Sequence, residues 1–312
     1  MSEKYSIIVP VYNEEKAIPI FYKAIIPVME SLKESFEIIF VNDGSKDSSL
    51  DEITKLAKLD ERIKCLSFSR NFGQQSAIFC GFSYASGEAV IDIDVDLQDP
   101  VDVIPLMIEK WKEGYKIVHG KRKARKGESF FKKKTSSLYL KLLKKITGMD
   151  IPKNVGEFKL LDRQVIDIIN SMPEHDRYLR GLTSWVGFKQ TCVEFDRLER
   201  SVGKTKYSIK KLCKLAISSI ISMSSWPLTL SIKFGIVGCF LSCVCFCVFI
   251  ILAICGVGLS VPVWLIPTIC LLFSGSYIFN GLSNLYLKRT YEESQNRPRY
   301  IVAEKINFNE KK

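Results

Sequence analysis

The sequence has no C-x-x-C pair, no G-x-G-x-x-G fingerprint and no phosphate-binding P-loop. With Cys65, Cys80, Cys192 and Cys213 scattered, the first absence argues against a zinc site. The other two absences mean that any bound phosphates must be held by metal and basic side chains, not by a glycine-rich loop. Collagen-like repeats and low-complexity tracts are missing. At 47% apolar and 25% charged residues, the chain is ordinary globular protein, not disordered. Ten cysteines do not make a disulfide scaffold, because six of them (Cys239, Cys243, Cys245, Cys247, Cys255, Cys270) lie in apolar sequence. There cysteine behaves as a small hydrophobe. A signal peptide is not expected either, since the first apolar stretch, Ile7 to Val11, is short and soon meets Glu14-Glu15.

Charge is what the C-terminal third lacks. The 54 residues from Phe234 to Leu287 contain none. A bilayer core takes about 20 apolar residues per helix. The run is interrupted between Gly256 and Pro262, so two transmembrane helices are expected, at about 233–255 and 263–287. Neither shows a polar face, unlike a soluble amphipathic helix. Lys233 precedes the pair and Lys288-Arg289 follow it, while the intervening loop is uncharged. The positive-inside rule then predicts cytoplasmic termini. The expected organisation is a catalytic domain over 1–225, a membrane hairpin over 226–290 and a cytoplasmic tail over 291–312. At 312 residues the chain suits one catalytic-size domain plus an appendage.

Elsewhere the balance is basic, 45 Lys+Arg against 34 Asp+Glu. Residues 121–145 carry eleven Lys/Arg against one acid, Glu128, and residues 200–214 carry six with none. Aromatic and aliphatic residues are interleaved with them. Two basic helices, at about 121–147 and 204–225, are therefore expected to lie on an anionic membrane surface. The uncharged hairpin favours lipid over nucleic acid as the partner.

Residues 1–120 alternate strand and helix. Continuous Ile/Val-rich runs at Tyr5–Val11, Phe36–Val41, Ile63–Phe68, Ala89–Asp94 and Lys116–His119 read as buried parallel strands. A helical stripe runs from Ala17 through Phe21 and Ile25 to Leu32. Further helices are expected after Asp47, after Gln74 and from Asp99-Pro100. This is an α/β sheet of the nucleotide-binding kind. In such sheets ligands sit at the carboxyl ends of the strands. Polar residues gather at four of those ends: Pro10 to Glu14, Asn42 to Ser45, Ser69 to Gly73, and Asp94 to Pro100. Asp94 and Asp96, at i and i+2, leave one strand end on the same side. With the carboxamide of Gln98 they suit a hard divalent cation that offsets charge on a leaving diphosphate.

These stretches resemble the family 2 glycosyltransferases of GT-A fold, and within them the polyprenyl-phosphate glycosyltransferases. That group includes bactoprenol glucosyltransferases of O-antigen modification clusters and dolichol-phosphate mannose synthases. The matching segments are Ile8 to Glu15, Val41 to Ser45, Ser69 to Gly73, Asp94 to Pro100, Lys126 to Ser129, Val155 to Leu160, Trp185 to Gly187, Lys206-Tyr207 and Asn296 to Tyr300. They span nearly the whole chain. The resemblance implies that Pro10, Tyr12, Glu14, Asp43 and Arg70 hold the nucleotide. It implies that Asp94, Asp96 and Gln98 hold Mg²⁺ or Mn²⁺, and that Arg122, Arg200 and Lys206 contact phosphates. Glu157, with Asp96, would be catalytic. It further implies a metal-dependent, inverting transfer of one sugar, UDP-glucose being the first donor to test, to undecaprenyl phosphate. The product would be a lipid-linked sugar for O-antigen or cell-envelope glycans. The setting would be the bacterial inner membrane, and the assembly a homotetramer.

Three positions depart from the family pattern: Gln74-Gln75 replaces a basic residue and Glu, Glu157 replaces Asp, and Asn284-Leu285-Tyr286 replaces an acidic Gly-Glu-Tyr. Two other functions compete. A processive polysaccharide synthase would carry Q-x-x-R-W, which is absent. A catalytically inactive nucleotide-binding membrane scaffold would not need the metal carboxylates. Other donors (GlcNAc, galactose, mannose) fit the same motifs. The bland reading of Glu157 is a solvated carboxylate at a strand edge beside Lys159.

Overall fold

The structure, a computed structural model, describes residues 4–123, 152, 155–174, 178–196 and 261–308, with scattered positions between 237 and 255. It divides into two units, one made of residues 1–212 and 298–312, the other of residues 213–297.

The first unit is built on one eight-stranded sheet. Its strands are β1 (Tyr5–Val11), β2 (Phe36–Asn42), β3 (Ile63–Phe68), β4 (Ala89–Asp92), β5 (Ile117–Arg122), β6 (Val155–Asp162), β7 (Gln190–Phe195) and β8 (Val302–Ile306). Their order across the sheet is β7-β5-β6-β4-β1-β2-β3-β8. β1, β2, β3 and β4 run parallel, as their unbroken apolar sequences predict, and β1 and β2 are buried along their whole length. The sheet as a whole is mixed, however. β6 runs antiparallel to both its neighbours, β4 and β5, and β8 runs antiparallel to β3.

Helices cover both faces. On α1 (Ala17–Ser31), Ala17, Ile18, Phe21, Ile25 and Met29 are buried at helical spacing and pack with Ile7, Val9, Phe40 and Ile91. α2 (Ser49–Leu59) follows Asp47, whose carboxylate accepts from the Ser49 N–H and hydroxyl. The other face is lined by α3 (Gln74–Tyr84), α5 (Arg163–Ser171) and α6 (Leu179–Trp185), packed on Ile8, Val90, Ile117 and Leu161. α3 lies so close to β1 that a Cβ on Gly81 would stand 2.2 Å from a methyl of Ile8. The helix expected from Asp99-Pro100 starts later, with a 3₁₀ turn at Val101–Val103 leading into α4 (Ile104–Lys112). Asp99 does not cap it; this carboxylate is buried in an ion pair with Arg122.

Part of the expected tail is a strand. Beyond β3, which would otherwise be an open edge, the chain returns and pairs as β8. Tyr300 stacks on Phe68 with ring centroids 5.2 Å apart, and the Asn307 side chain donates to the carbonyls of Ala57 and Ile63. The rings of Phe308 and Tyr84 meet edge to face.

In the second unit the described backbone is α7 (Val261–Ser294), 34 residues and so ~51 Å long at about 1.5 Å per residue. Among the described residues no helix is long and apolar enough to cross a membrane, so the expected two-helix hairpin is not found there. Most of 233–255 lies outside those residues. So do Arg200, Lys206 and nearly all of the two expected basic helices.

Because β8 closes the edge of β3 and Tyr300 just before it stacks on Phe68, removing residues 298–312 should lower the unfolding temperature by about 5–10 °C, the equivalent of a few kcal/mol. Thermal unfolding of the shortened chain in detergent, followed by circular dichroism, checks this. An unchanged transition would mean that β8 contributes no stability.

Candidate active site

Three of the polar strand ends lock together through their own side chains. Asn13 has positive φ and bonds across to the loop after β2: its N–H donates to Ser45 Oγ (3.0 Å) and its Oδ1 accepts the Lys46 N–H (2.8 Å). The Glu14 N–H donates to Ser49 Oγ at 2.9 Å. Tyr12 remains exposed beside them, and Pro10 is buried within β1.

Asp43, almost wholly buried, organises the loop after β3. Its Oδ1 accepts from the Phe72 N–H (2.6 Å) and its Oδ2 from Gly73 N–H (2.9 Å) and Asn71 Nδ2 (2.8 Å). Burial pushes its carboxyl up, partly opposed by those two backbone donors. Gly44 makes the approach possible, since a Cβ there would stand 2.4 Å from the Arg70 carbonyl carbon, and its φ of +62° favours glycine. Arg70 lies over the Phe72 ring, 4.0 Å from its centroid.

The fourth end is acidic. β4 stops at Asp92, and Asp94, Asp96, Gln98 and Asp99 follow. Gln74 Nε2, at the start of α3, donates to Asp94 Oδ1 at 2.7 Å, and the Gln98 N–H donates to Asp96 Oδ1 at 3.1 Å. Burial first, then the neighbouring Asp96, Asp99 and Glu157 charges, push Asp94 up to about 7, with Arg122 pulling the other way. Arg122 grips Asp99 with Nε (3.1 Å) and Nη2 (2.9 Å), so the expected phosphate ligand is engaged with the motif itself. Its guanidinium also lies where a Cβ on Gly156 would come within 3.0 Å.

β6 brings Glu157 to this cluster. It does not stand solvated at a strand edge: β6 lies between β4 and β5, and Lys159 is wholly buried. Arg180 Nε on α6 donates to Glu157 Oε1 at 2.9 Å, and Lys159 Nζ lies 3.4 Å from Oε2. Burial pushes this carboxyl up, but Lys159 and Arg180 outweigh it and hold it below the usual glutamate range. A carboxylate so held is ionised at neutral pH and a weak proton acceptor. It is better suited to alignment and charge control.

Sequence reasoning passed over Asp92, Lys159 as a buried cation, Arg180 and His119. Asp92 stood only in a strand pattern and Lys159 only beside Glu157. Arg180 and His119 carry no motif, and the register of β4, β5 and β6 assembles them. His119 is buried with Nε2 against Gln190 Oε1 at 2.9 Å. Burial, then Lys159, push it down to about 4, so it is neutral.

A divalent cation fits this end of the sheet on the chemistry of its donors. Among the described residues no three His, Cys, Asp or Glu side chains form a metal cage. Asp94 and Asp96 instead offer hard oxygen, and a nucleotide diphosphate would complete the shell, as Mg²⁺ prefers. The upward push on Asp94 by its acidic neighbours is the repulsion that a cation would relieve.

Residues 6–169 match the sequence profile of glycosyl transferase family 2. The chain is 44% identical over 313 aligned residues to an uncharacterized glycosyltransferase, YkcC, of Bacillus subtilis, covering 99% of this chain and 96% of that protein. It is 42% identical to a prophage bactoprenol glucosyl transferase homolog of Escherichia coli (96% and 98% covered) and 41% identical to the bactoprenol glucosyl transferase of Shigella phage SfV (96% and 98%). The fold is similar to glucosyl-3-phosphoglycerate synthase of Mycobacterium tuberculosis, solved with Mn²⁺, uridine diphosphate and phosphoglyceric acid. There the TM-score is 0.54 at 18% identity, over 70% of this chain and 76% of that one. The mixed sheet is accordingly GT-A-like.

Replacing Asp43 by Asn would turn one acceptor into a donor facing the 71–73 donors. The loss should be about 1–3 kcal/mol of stability, with faster proteolysis at the loop. Urea unfolding of the variant beside wild type checks it, and equal midpoints would show that Asp43 does not hold the loop.

Proposed function

The chain belongs to glycosyl transferase family 2, and on that premise we propose that it transfers glucose from UDP-glucose to undecaprenyl phosphate at the cytoplasmic face of a bacterial membrane. The observation that carries this reading is end-to-end identity of 41–42% with proteins named as bactoprenol glucosyl transferases. The 54 uncharged residues from Phe234 to Leu287 support attachment to the membrane, with the catalytic domain and both termini on the cytoplasmic side.

In the proposed reaction an acceptor phosphate oxygen forms a bond to the anomeric carbon as the bond from that carbon to the UDP oxygen breaks, with inversion. UDP leaves with the electron pair. A phosphate monoester has its second pKa near ~6, so the acceptor is largely ionised already and a strong base is unnecessary. Glu157, fixed by Arg180 and Lys159, would orient the acceptor or the sugar hydroxyls. A misplacement of about 1 Å can cost on the order of 100-fold in rate, so holding it from both sides matters. Asp43 keeps the 71–73 loop in place beside the nucleotide. A divalent cation bound by Asp94, Asp96 and Gln98 would stabilise negative charge on the departing diphosphate.

Membranes carrying the chain should convert labelled UDP-glucose to a lipid-extractable product only with undecaprenyl phosphate and Mg²⁺ or Mn²⁺. Asp96→Asn should remove most of that transfer without loss of the folded protein. Full activity in excess chelator would sink the metal reading, and a water-soluble product the acceptor reading.

A second outcome follows from Asp94. Its folded pKa, about 7, lies above the ordinary 3.8. Stability is then fully present below about pH 4 as far as this group is concerned, and is lost as pH rises through about 7. Mn²⁺ should therefore raise the unfolding temperature more at pH 7.5 than at pH 5.5. An equal shift at both would detach Asp94 from metal binding.

A further inference from the structure

Behind Glu157 lies a row of side chains in register across three strands. Asp92 on β4 pairs with Lys159 on β6, and Lys159 with His119 on β5. All three are buried, at 1%, 0% and 1% exposure. The ammonium of Lys159 reaches Glu157 at 3.4 Å, while both carboxylate oxygens of Asp92 and Nδ1 of His119 have no hydrogen-bond partner. A buried charge without a partner is among the costliest features a core can carry. A sheet whose only task here was packing would place apolar residues at these three positions, as it does two residues away along each strand at Val90, Leu161 and Ile117.

We propose that Lys159 is a positioning residue for sugar transfer, holding the Glu157 carboxylate from inside the sheet, with Asp92 opposite it on β4. Arg180 holds the other oxygen of Glu157 from α6, so the carboxylate is fixed between a strand and a helix. A single cation would leave it free to swing. Lys159 touches neither donor nor acceptor and acts through Glu157. The inference rests on the transferase reading above. Among the described residues the charged and titratable groups around Glu157 are Lys159 on its own strand, Arg180 on α6, Asp92 and Asp94 at the end of β4, and His119 on β5. Arg122, on β5, lies against Gly156 and is tied to Asp99.

The test uses the full chain in detergent or membranes, with Mn²⁺ and UDP-glucose. UDP release is followed with and without undecaprenyl phosphate, from pH 5.5 to 9. Lys159→Met should lower kcat about 100-fold while KM for UDP-glucose stays within about threefold, because the misplaced carboxylate acts in the transition state and not on the nucleotide. The same variant should acquire a limb rising with pH, since a buried Glu157 stripped of one cation binds a proton more readily. Lys159→Arg, which keeps the charge, should recover most of the rate. Adding Lys159→Met to Glu157→Gln should slow that variant by no more than about twofold, as expected when one residue works through the other. The double variant leaves no Glu157 charge short of a cation, so it decides the matter if Lys159→Met alone does not fold. A folded Lys159→Met enzyme with wild-type kcat and pH profile, or a double variant about tenfold slower than Glu157→Gln, would overturn the proposal. If UDP release by wild type does not respond to undecaprenyl phosphate, the acceptor assignment fails while the Lys159 comparison still stands on that same release.

Discussion

Asp92, Asp94, Asp96, Asp99 and Glu157 repel one another at the end of β4, in a region of low dielectric, and three cations face them: Arg122, Lys159 and Arg180. Much of the local architecture answers that repulsion. Arg122 binds Asp99 with two parallel hydrogen bonds, which holds the loop after β4 against β5. Arg180 and Lys159 share Glu157. Asp94 and Asp96 are left with neutral amide donors, from Gln74 and from the backbone of Gln98, among their contacts. Five carboxyl groups thus face three cations, and the upward push on Asp92 and Asp94 marks repulsion that a divalent cation would relieve.

The topology makes this cluster possible. A strictly parallel sheet would carry every strand's carboxyl end to one side and keep mid-strand residues away from the ligand. β6 runs the other way between β4 and β5, so Glu157, near its start, meets the region where β4 ends. The price is a pair of charged residues inside the sheet, because the side chain two positions after Glu157 on the same face must stand over the core. That side chain is Lys159, and Asp92 is the residue opposite it.

The parallel half of the sheet was legible because burial on both faces writes itself as unbroken Ile/Val runs; β1 to β4 and the first residues of β5 could be read that way. The acidic strand end could be read because it is one of four polar strand ends at the same side of the sheet; a lone Asp-x-Asp is a common acidic turn. β6 was hidden. Val155 to Asp162 alternates neither cleanly nor continuously, since Glu157 and Lys159 sit where apolar residues are expected. β8 was hidden for a different reason: Val302–Ile306 is a mostly exposed edge, and its place depends on pairing with a strand more than 230 residues earlier. Asp43 was read as a nucleotide ligand from its motif. Its hydrogen bonds to Asn71, Phe72 and Gly73 are long-range contacts that no local pattern encodes.

The same sheet contains a second buried carboxylate that shows what a purely structural one looks like. Glu37 on β2 is 1% exposed, as is Asp92. It accepts from Ser6, from Lys64 and from both the N–H and the hydroxyl of Ser86. Burial pushes its carboxyl up, but these donors outweigh it and keep the group below the ordinary range. Where the fold needs only to bury a charge, it surrounds that charge with donors. Asp92 has none, and burial with the Glu157 charge pushes it well above the ordinary range. A Ser or Asn in place of Lys159 would give it a donor, but would remove the cation that grips Glu157. The unsatisfied carboxylate is thus the cost of placing a cation behind the residue that must not move.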